Sequence, residues 1–259
     1  MDTDDRVRDA LPVNEPYDAP VAQAYDCWLP PDGAYDDRAL YRTAIERGAG
    51  PALERGCGNG RLLIDYRTAG LDVEGVDSSA EMLAICRAHA GAAGVDVTLH
   101  EQDWATLDLP RRYATIYNPA GSFSLIADDD EARRALTAWL RHLAPGGTLL
   151  VAMGIPRSDF AANWEWKVRR SATRASDAVT FIVHEAMRCD VQAQAVHTLH
   201  RHEQWDAHGT LITTFMRRHR LRWWTPNQLQ ELLLESGASA VRCLGTDDEF
   251  MAIGDAPAA

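Results

Sequence analysis

Glu54-Arg55-Gly56-Cys57-Gly58-Asn59-Gly60 follows the apolar Pro51-Ala52-Leu53 and leads into Arg61-Leu62-Leu63-Ile64, and the fold is decided by how this stretch is read. A short apolar run that breaks into glycines and resumes with helix formers reads as strand, tight bend and helix. Glycines in such a bend let backbone approach a ligand closely, because no Cβ stands in the way. The dinucleotide spacing G-x-G-x-x-G would place its third glycine at position 61, which is Arg61. That weighs against a nicotinamide or flavin. Further on, Leu71-Asp72-Val73-Glu74-Gly75-Val76-Asp77 reads as a second strand ending in an acid. A carboxylate there can accept from both hydroxyls of a ribose, so the bend and Asp77 together point to a nucleoside.

Outward from the bend the pattern repeats. Strand, helix, strand, helix, strand are predicted over 51–55, 60–69, 71–77, 79–90 and 95–101. Ala114-Thr115-Ile116-Tyr117-Asn118 is the next strand, and Asp128-Asp129-Asp130-Glu131 opens a helix running to about Leu143. Acids at that start suit the helix dipole, and Pro145-Gly146-Gly147 is expected to end the helix before a fifth strand, Thr148 to Met153. Alternation of this kind predicts an α/β fold with a mainly parallel sheet covered on both faces.

The rhythm changes at Ile155. Val179, Phe181 and Val183 share one face of an alternating run, Thr180, Ile182 and His184 the other, and Ala207-His208-Gly209 reads as a hairpin turn. Residues 164–222 are therefore expected to form a small antiparallel sheet inserted after the fifth strand. Thr225-Pro226 opens a helix striped by Leu229, Leu232 and Leu233 and stopped at Gly237, and strands are expected at 239–245 and 249–254. Before the bend, a polar stretch to about residue 16 precedes two short helices between Asp18 and Gly48, split by the turn Pro30-Pro31-Asp32-Gly33. The expected segments are 1–48 (tail and helices, part of a lid), 49–154 (core), 155–224 (antiparallel insertion) and 225–259 (closing helix and hairpin).

Composition narrows the function. The chain has 259 residues, 46% of them hydrophobic, enough for one α/β domain with an insertion. No apolar run approaches the roughly 20 residues of a membrane helix. Met1-Asp2-Thr3-Asp4-Asp5 is acidic and lacks a signal-peptide core, so export is not expected. Cys27, Cys57, Cys86, Cys189 and Cys243 lie far apart and read as reduced thiols of a cytoplasmic protein. The net charge of −12 argues against a nucleic-acid partner, although Arg217, Arg218, Arg220 and Arg222 make a local basic strip.

With these residues in view, the chain resembles the class I S-adenosylmethionine-dependent methyltransferases, and in particular small bacterial methyltransferase-domain proteins. Tyr25-Asp26, Leu40-Tyr41 and Gly50-Pro51-Ala52-Leu53-Glu54 are similar to their lead-in. Gly75-Val76-Asp77-Ser78-Ser79-Ala80-Glu81-Met82-Leu83 looks like their second motif. Gln102-Asp103-Trp104 looks like the adenine-contacting turn, and Leu143-Ala144-Pro145-Gly146-Gly147-Thr148-Leu149-Leu150 like the turn before the fifth strand. Four motifs in this order are far more specific than one glycine loop. The resemblance implies a seven-stranded, mostly parallel, doubly wound (Rossmann-like) sheet. It implies S-adenosyl-L-methionine as cofactor and S-adenosyl-L-homocysteine as product. Gly56, Gly58 and Gly60 would then floor the cofactor's methionine and ribose, and Glu54 would orient the amino group through water. Asp77, with Ser78 beside it, would take the ribose, and Asp103 the adenine amine. Trp104 would back the adenine ring, Met82 would pack on its other side, and Tyr25 (in preference to Tyr17) would close over the cofactor.

Methyl transfer from a sulfonium asks the protein to align two partners, exclude water and sometimes remove a proton. Asn118, at the end of the fourth strand, is where the resemblance places the methyl acceptor. Relatives acting on planar nitrogens often carry Asn-Pro-Pro-aromatic there, and Asn118-Pro119-Ala120-Gly121 matches by half. A strand-end turn lining the pocket with Ser122 and Phe123 is the other reading. His184, His197, His200, His202 and His208 crowd the insertion, and His200 and His202 share a strand face at a spacing used by metals. No further spaced ligand follows, so no metal is expected. Asn118 and His184 are the candidates for catalysis, with Glu185 as another proton acceptor. Trp164, Trp166, Trp223 and Trp224 fit an insertion core, an acceptor pocket or the face of a homodimer. Two positions depart from the family: Arg55 would put a cation at the mouth of the bend, and Ala114 replaces an acid. The leading function is methylation of nitrogen or oxygen on a small-molecule acceptor, with neither nucleic acid nor membrane as partner. Sugar amines, amino-acid amines and natural-product hydroxyls all remain open. The second reading is a non-catalytic, regulatory binder of the cofactor or its product.

Overall fold

A computed structural model of the chain describes residues 11–29, 37–126, 128–156 and 164–258. In chain order the helices are α1 (Ala19–Trp28), α2 (Arg38–Gly48), α3 (Leu63–Thr68), α4 (Ala80–Ala93), α5 (Asp129–Arg141) and α6 (Pro226–Glu235). The strands of the core are β1 (Ala52–Arg55), β2 (Val73–Asp77), β3 (Thr98–Glu101), β4 (Tyr113–Asn118) and β5 (Leu143–Gly154). Then come β6 (Lys167–Thr173), β7 (Thr180–Asp190), β8 (Ala195–Trp205) and β9 (Leu211–Arg222). The last two are β10 (Val241–Gly245) and β11 (Glu249–Asp255). The Pro30-Pro31-Asp32-Gly33 turn lies outside the described residues.

The chain divides into two compact units, one holding residues 11–29 with 164–222, the other residues 37–155 with 223–258. In the second unit seven strands run in the order β10-β11-β5-β4-β1-β2-β3. The five from β3 to β5 are mutually parallel, and β11 joins β5 antiparallel. This is the expected doubly wound, Rossmann-like sheet. All of β1 is buried, as a central parallel strand covered on both faces must be. Strand order reverses between β1 and β4, and in open α/β sheets ligands bind at the carboxyl ends of strands beside that reversal. The glycine bend leaves β1 at that end.

Local signals account for most boundaries. Ser79 caps α4 by accepting from the Met82 N–H at 3.0 Å, and Asp128 caps α5 by accepting from Glu131 at 2.8 Å. Thr225 and Gln228 form a capping box on α6, the Thr225 N–H donating to Gln228 Oε1 at 2.9 Å. Thr225→Ala removes that box; denaturant unfolding should show a loss of about 1 kcal/mol.

One expectation fails. Pro145-Gly146-Gly147 does not end α5; the helix stops at Arg141, where the His142 N–H bonds back to Trp139 O at 3.0 Å, and β5 already begins at Leu143. The three residues form a bulge instead. Pairing with β4 jumps from Tyr113↔Leu143 to Thr115↔Thr148, and Gly146 takes a left-handed φ of 75° to absorb the excess chain.

The first unit carries the antiparallel sheet β6-β7-β8-β9 expected after the fifth strand. Phe181 and Val183 are buried on one face, while Asp206 organises the hairpin turn by accepting from the His208 and Thr210 N–H groups at 2.9 and 2.8 Å. Helix α1 belongs to this unit, and Asn14 is tied to β9 through Arg218 and Arg220. Among the described residues, no helix is long and apolar enough to cross a membrane.

Candidate functional site

Gly56, Gly58 and Gly60 have φ of 71°, 53° and 88°, a run of left-handed backbone that other residues rarely adopt. The Gly56 and Cys57 N–H groups donate to Val76 O at 2.8 and 3.1 Å, which ties the bend to the end of β2. There Asp77 accepts from the Gly58 N–H through Oδ2 and from the Ser79 N–H through Oδ1, both at 2.9 Å, with the Ser78 N–H adding to them. The carboxylate is thus held against the bend. Three N–H donors on about four lone-pair sites leave an acceptor position for one further donor. Burial pushes the Asp77 carboxyl up, while the Ser79 and Gly58 N–H groups and the Arg55 guanidinium pull it down.

The neighbours of the bend can be read from what a Cβ would meet. At Gly58 it would lie 3.1 Å from Met82 Cε. At Gly56 it would lie 3.3 Å from Ser122 Oγ and 3.8 Å from both Asn118 Nδ2 and Trp104 Cη2. Met82, Trp104, Asn118 and Ser122 therefore border the cradle. Gly60 faces the other way, into packing against Cys86 and Ile64.

Glu54 is buried and accepts from the Tyr117 hydroxyl at 3.0 Å, an interaction made by the β1–β4 pairing that sets Glu54 opposite Tyr117. Burial raises its carboxyl to about 8 despite the Tyr117 hydrogen bond and the nearby Arg61. Between an unfolded value of 4.5 and about 8, the folded state holds the proton more tightly than the unfolded chain does. Stability from this group is therefore lost as pH rises through that window. Glu54→Gln should abolish this share of the slope, so urea unfolding of variant and parent should diverge progressively between pH 5 and pH 8 (about the span of those values), the parent losing more.

Arg55 is not at the mouth of the bend. Alternation along β1 puts it on the opposite sheet face from Glu54, 1% exposed, its guanidinium 5.4 Å from the Trp104 ring and 5.0 Å from Trp139. Nε and Nη1 have no hydrogen-bond partner among the described residues; burial lowers the group to about 10, and Asp77 and Asp103 oppose that. It remains a cation, held by ring faces. Trp139 also donates its Nε1–H to Trp104 O at 3.0 Å, fixing the turn that carries Trp104. Ala114, the other departure, sits where a Cβ on Gly50 would be 2.9 Å from its own Cβ, so close chain approach leaves little room for a larger side chain.

Asn118 is fully buried. Its Nδ2 donates to Arg55 O at 3.0 Å and to Ser122 Oγ at 2.9 Å, which leaves Oδ1 without a partner among the described residues. Asp103 is exposed and caps its own turn by accepting from the Ala105 N–H at 3.1 Å. Tyr25 and His184 belong to the other unit. There the Tyr25 ring lies 5.7 Å from that of Tyr17, and His184 Nε2 is 3.5 Å from Glu203 Oε1. The tryptophans divide as well: Trp223 and Trp224 are buried in the unit of the parallel sheet, with Trp224 against Phe123 at 5.1 Å, whereas Trp166 is 46% exposed. Tyr117 and Trp139 were not legible as site residues, because each reaches its partner through strand pairing or helix packing. Among the described residues, no group of His, Cys, Asp and Glu is placed to hold a metal ion.

Comparison with known proteins agrees with this geometry. Residues 52–147 match the family described as methyltransferase domain. A dTDP-3-amino-3,4,6-trideoxy-alpha-D-glucopyranose N,N-dimethyltransferase of Streptomyces venezuelae is 28% identical over 116 residues, covering 45% of this chain and 47% of that protein. A dTDP-3-amino-3,6-dideoxy-alpha-D-glucopyranose N,N-dimethyltransferase of Streptomyces fradiae is 29% identical over 140 residues, covering 52% and 53%. The chain thus spans about half the length of these curated relatives. In fold it is similar to the CcbJ methyltransferase from Streptomyces caelestis, with a TM-score of 0.73 and 22% identity over 95% of this chain and 99% of that one.

Proposed function

We propose, from the match of residues 52–147 to the methyltransferase-domain family, that the chain moves a methyl group from S-adenosyl-L-methionine to a nitrogen or oxygen of a small-molecule acceptor, an amino-sugar nitrogen first among them. The observation that carries this reading is the Asp77 carboxylate pinned at the glycine bend with an acceptor position to spare. The residues suit the cofactor. Left-handed glycines open the space a nucleoside needs, Asp77 offers acceptors for ribose hydroxyls, and Glu54 offers a buried carboxyl for an amino group. Met82 and Trp104 are apolar surfaces beside the bend, and Asp103 stands next to Trp104. When bound, the cofactor supplies a carbon already activated by its sulfonium.

The chain's own residues then position and desolvate. Asn118 Oδ1, held in one orientation by the two donations from Nδ2, offers an acceptor for an N–H or O–H at the end of β4. The Arg55 cation stiffens the Trp104 platform by lying against the rings of both Trp104 and Trp139. Its burial there removes the obstacle at the bend that would have favoured a non-catalytic binder. Incubation with tritiated-methyl cofactor and separate pools of amino sugars, amino acids and hydroxylated natural products tests the reading. Label in the amino-sugar pool is the expected result; binding of the cofactor with no label in any pool would leave the non-catalytic alternative standing instead.

A further inference from the structure

Three tyrosines gather around the Glu54 side chain. Pairing of β1 with β4 sets Glu54 opposite Tyr117, whose ring stacks on Tyr41 of α2 at 5.0 Å and meets Tyr66 of α3 edge-on at 6.2 Å. All four residues are buried. A carboxylate stripped of water in such a place needs several donors or a committed cation. Glu54 has few. The Tyr117 hydroxyl donates to Oε2 at 3.0 Å, but the Tyr66 hydroxyl is spent on Arg38 O at 2.8 Å. In the bend, the Gly56 and Cys57 N–H groups go to Val76 O, that of Gly58 to Asp77 and that of Gly60 to Cys57 O.

Charged neighbours do not favour an anion here either. Arg61 attracts one, but its guanidinium is held by both oxygens of Asp37 at 2.7 Å, and Asp37 and Asp77 repel it. Burial above all pushes up the hydroxyls of Tyr41, Tyr66 and Tyr117 and the thiols of Cys57 and Cys86, so these neighbours are neutral. The Glu54 carboxyl, raised by burial to about 8, keeps its proton at neutral pH. Oε1 takes no hydrogen bond among the described residues and is not one of the sealed polar atoms, so water reaches it.

A neutral acid beside a cradle for a zwitterion is a counter-ion in reserve. The free chain avoids a bare buried anion, and an arriving ammonium would be costly to desolvate without a partner. Ionising Glu54 on binding meets both conditions. We infer that Glu54 is a proton-coupled counter-ion: neutral in the free chain, it releases its proton to solvent as the cofactor's ammonium arrives, and the carboxylate so formed pairs with that ammonium directly or through water. The carboxyl O–H bond breaks, the proton passes to buffer, and the ammonium keeps its three hydrogens. The identity of the ligand rests on the proposed function.

Calorimetry on the full chain tests it with S-adenosylhomocysteine, titrated at about pH 6.5 in PIPES and in imidazole, buffers whose ionisation enthalpies differ widely. The change of binding heat with buffer counts protons. About one proton should leave per ligand bound by the parent, and none from Glu54→Gln. Affinity rises with pH because the free chain binds a proton that the complex lacks. From about pH 5.5 to about pH 7.5 the parent should therefore bind about a hundredfold more tightly, while the variant stays nearly flat. 5′-Methylthioadenosine keeps the nucleoside and thioether but has no ammonium, so it should bind the parent without releasing a proton. That comparison needs no variant and decides the matter even where Glu54→Gln fails to fold. A carboxyl serving packing alone would release no proton with either ligand. The inference is overturned if S-adenosylhomocysteine binds without proton release, if the variant releases as much as the parent, or if methylthioadenosine releases the same proton. S-adenosylhomocysteine that binds at no pH sinks the proposed function and this inference with it, whereas binding without release sinks the inference alone.

Discussion

Asp77→Asn should weaken S-adenosylhomocysteine binding about a hundredfold, because charge-assisted hydrogen bonds contribute about 1.5–3 kcal/mol each and this carboxylate makes several at once. In the parent both oxygens accept, Oδ2 from Gly58 and Oδ1 from Ser79. An amide has one oxygen. Its NH2 must face one of those N–H groups, donor against donor, which loosens either the bend or the start of α4 and spoils the cradle. The amide also offers one fewer acceptor to a ribose. Calorimetry gives the ratio directly; equal dissociation constants for variant and parent would mean that Asp77 serves the bend alone.

The largest stability effect is expected at Gly60. With φ at 88° and a Cβ that would fall 2.6 Å from Cys86 Sγ and 2.8 Å from Ile64 Cδ1, alanine there suffers both backbone strain and overpacking. Strain costs about 1–2 kcal/mol and forced repacking about 1–3 kcal/mol, so Gly60→Ala should lose about 2–5 kcal/mol in denaturant unfolding. Gly146→Ala separates the two contributions. Its φ of 75° carries the same strain, but nothing stands within 4 Å of the new methyl, so it should cost about 1–2 kcal/mol. Equal losses at the two sites would show that packing behind the bend is loose.

The alternating core was legible because its signals are local. Glycines, capping residues and period-two apolar runs announce β1, the bend, α4 and β7 without help from the rest of the chain. Pro145-Gly146-Gly147 misled because the same three residues suit a helix stop and a bulge, and only the β4 register distinguishes them. Arg55 misled for a related reason. A charged residue beside a ligand loop reads as exposed, but its burial depends on Trp104 and Trp139, brought together by a turn and a helix far apart in sequence. The Glu185–His200 pair with His202 and His219 lay deeper still. Histidines on alternate positions suggest solvent or metal, and only β8–β9 pairing sets His219 across from Thr198. Composition cannot show that a buried imidazole lacks a partner.

The central claim is that the bend after β1 cradles a nucleoside whose sugar is held by Asp77, and a crystal structure with S-adenosylhomocysteine tests it most directly. The account predicts ribose hydroxyls within hydrogen-bond distance of the Asp77 carboxylate and adenine beside Trp104 and Met82. Ligand density elsewhere on the chain, or a ribose turned away from Asp77 with the carboxylate still bound only to Gly58 and Ser79, would contradict it.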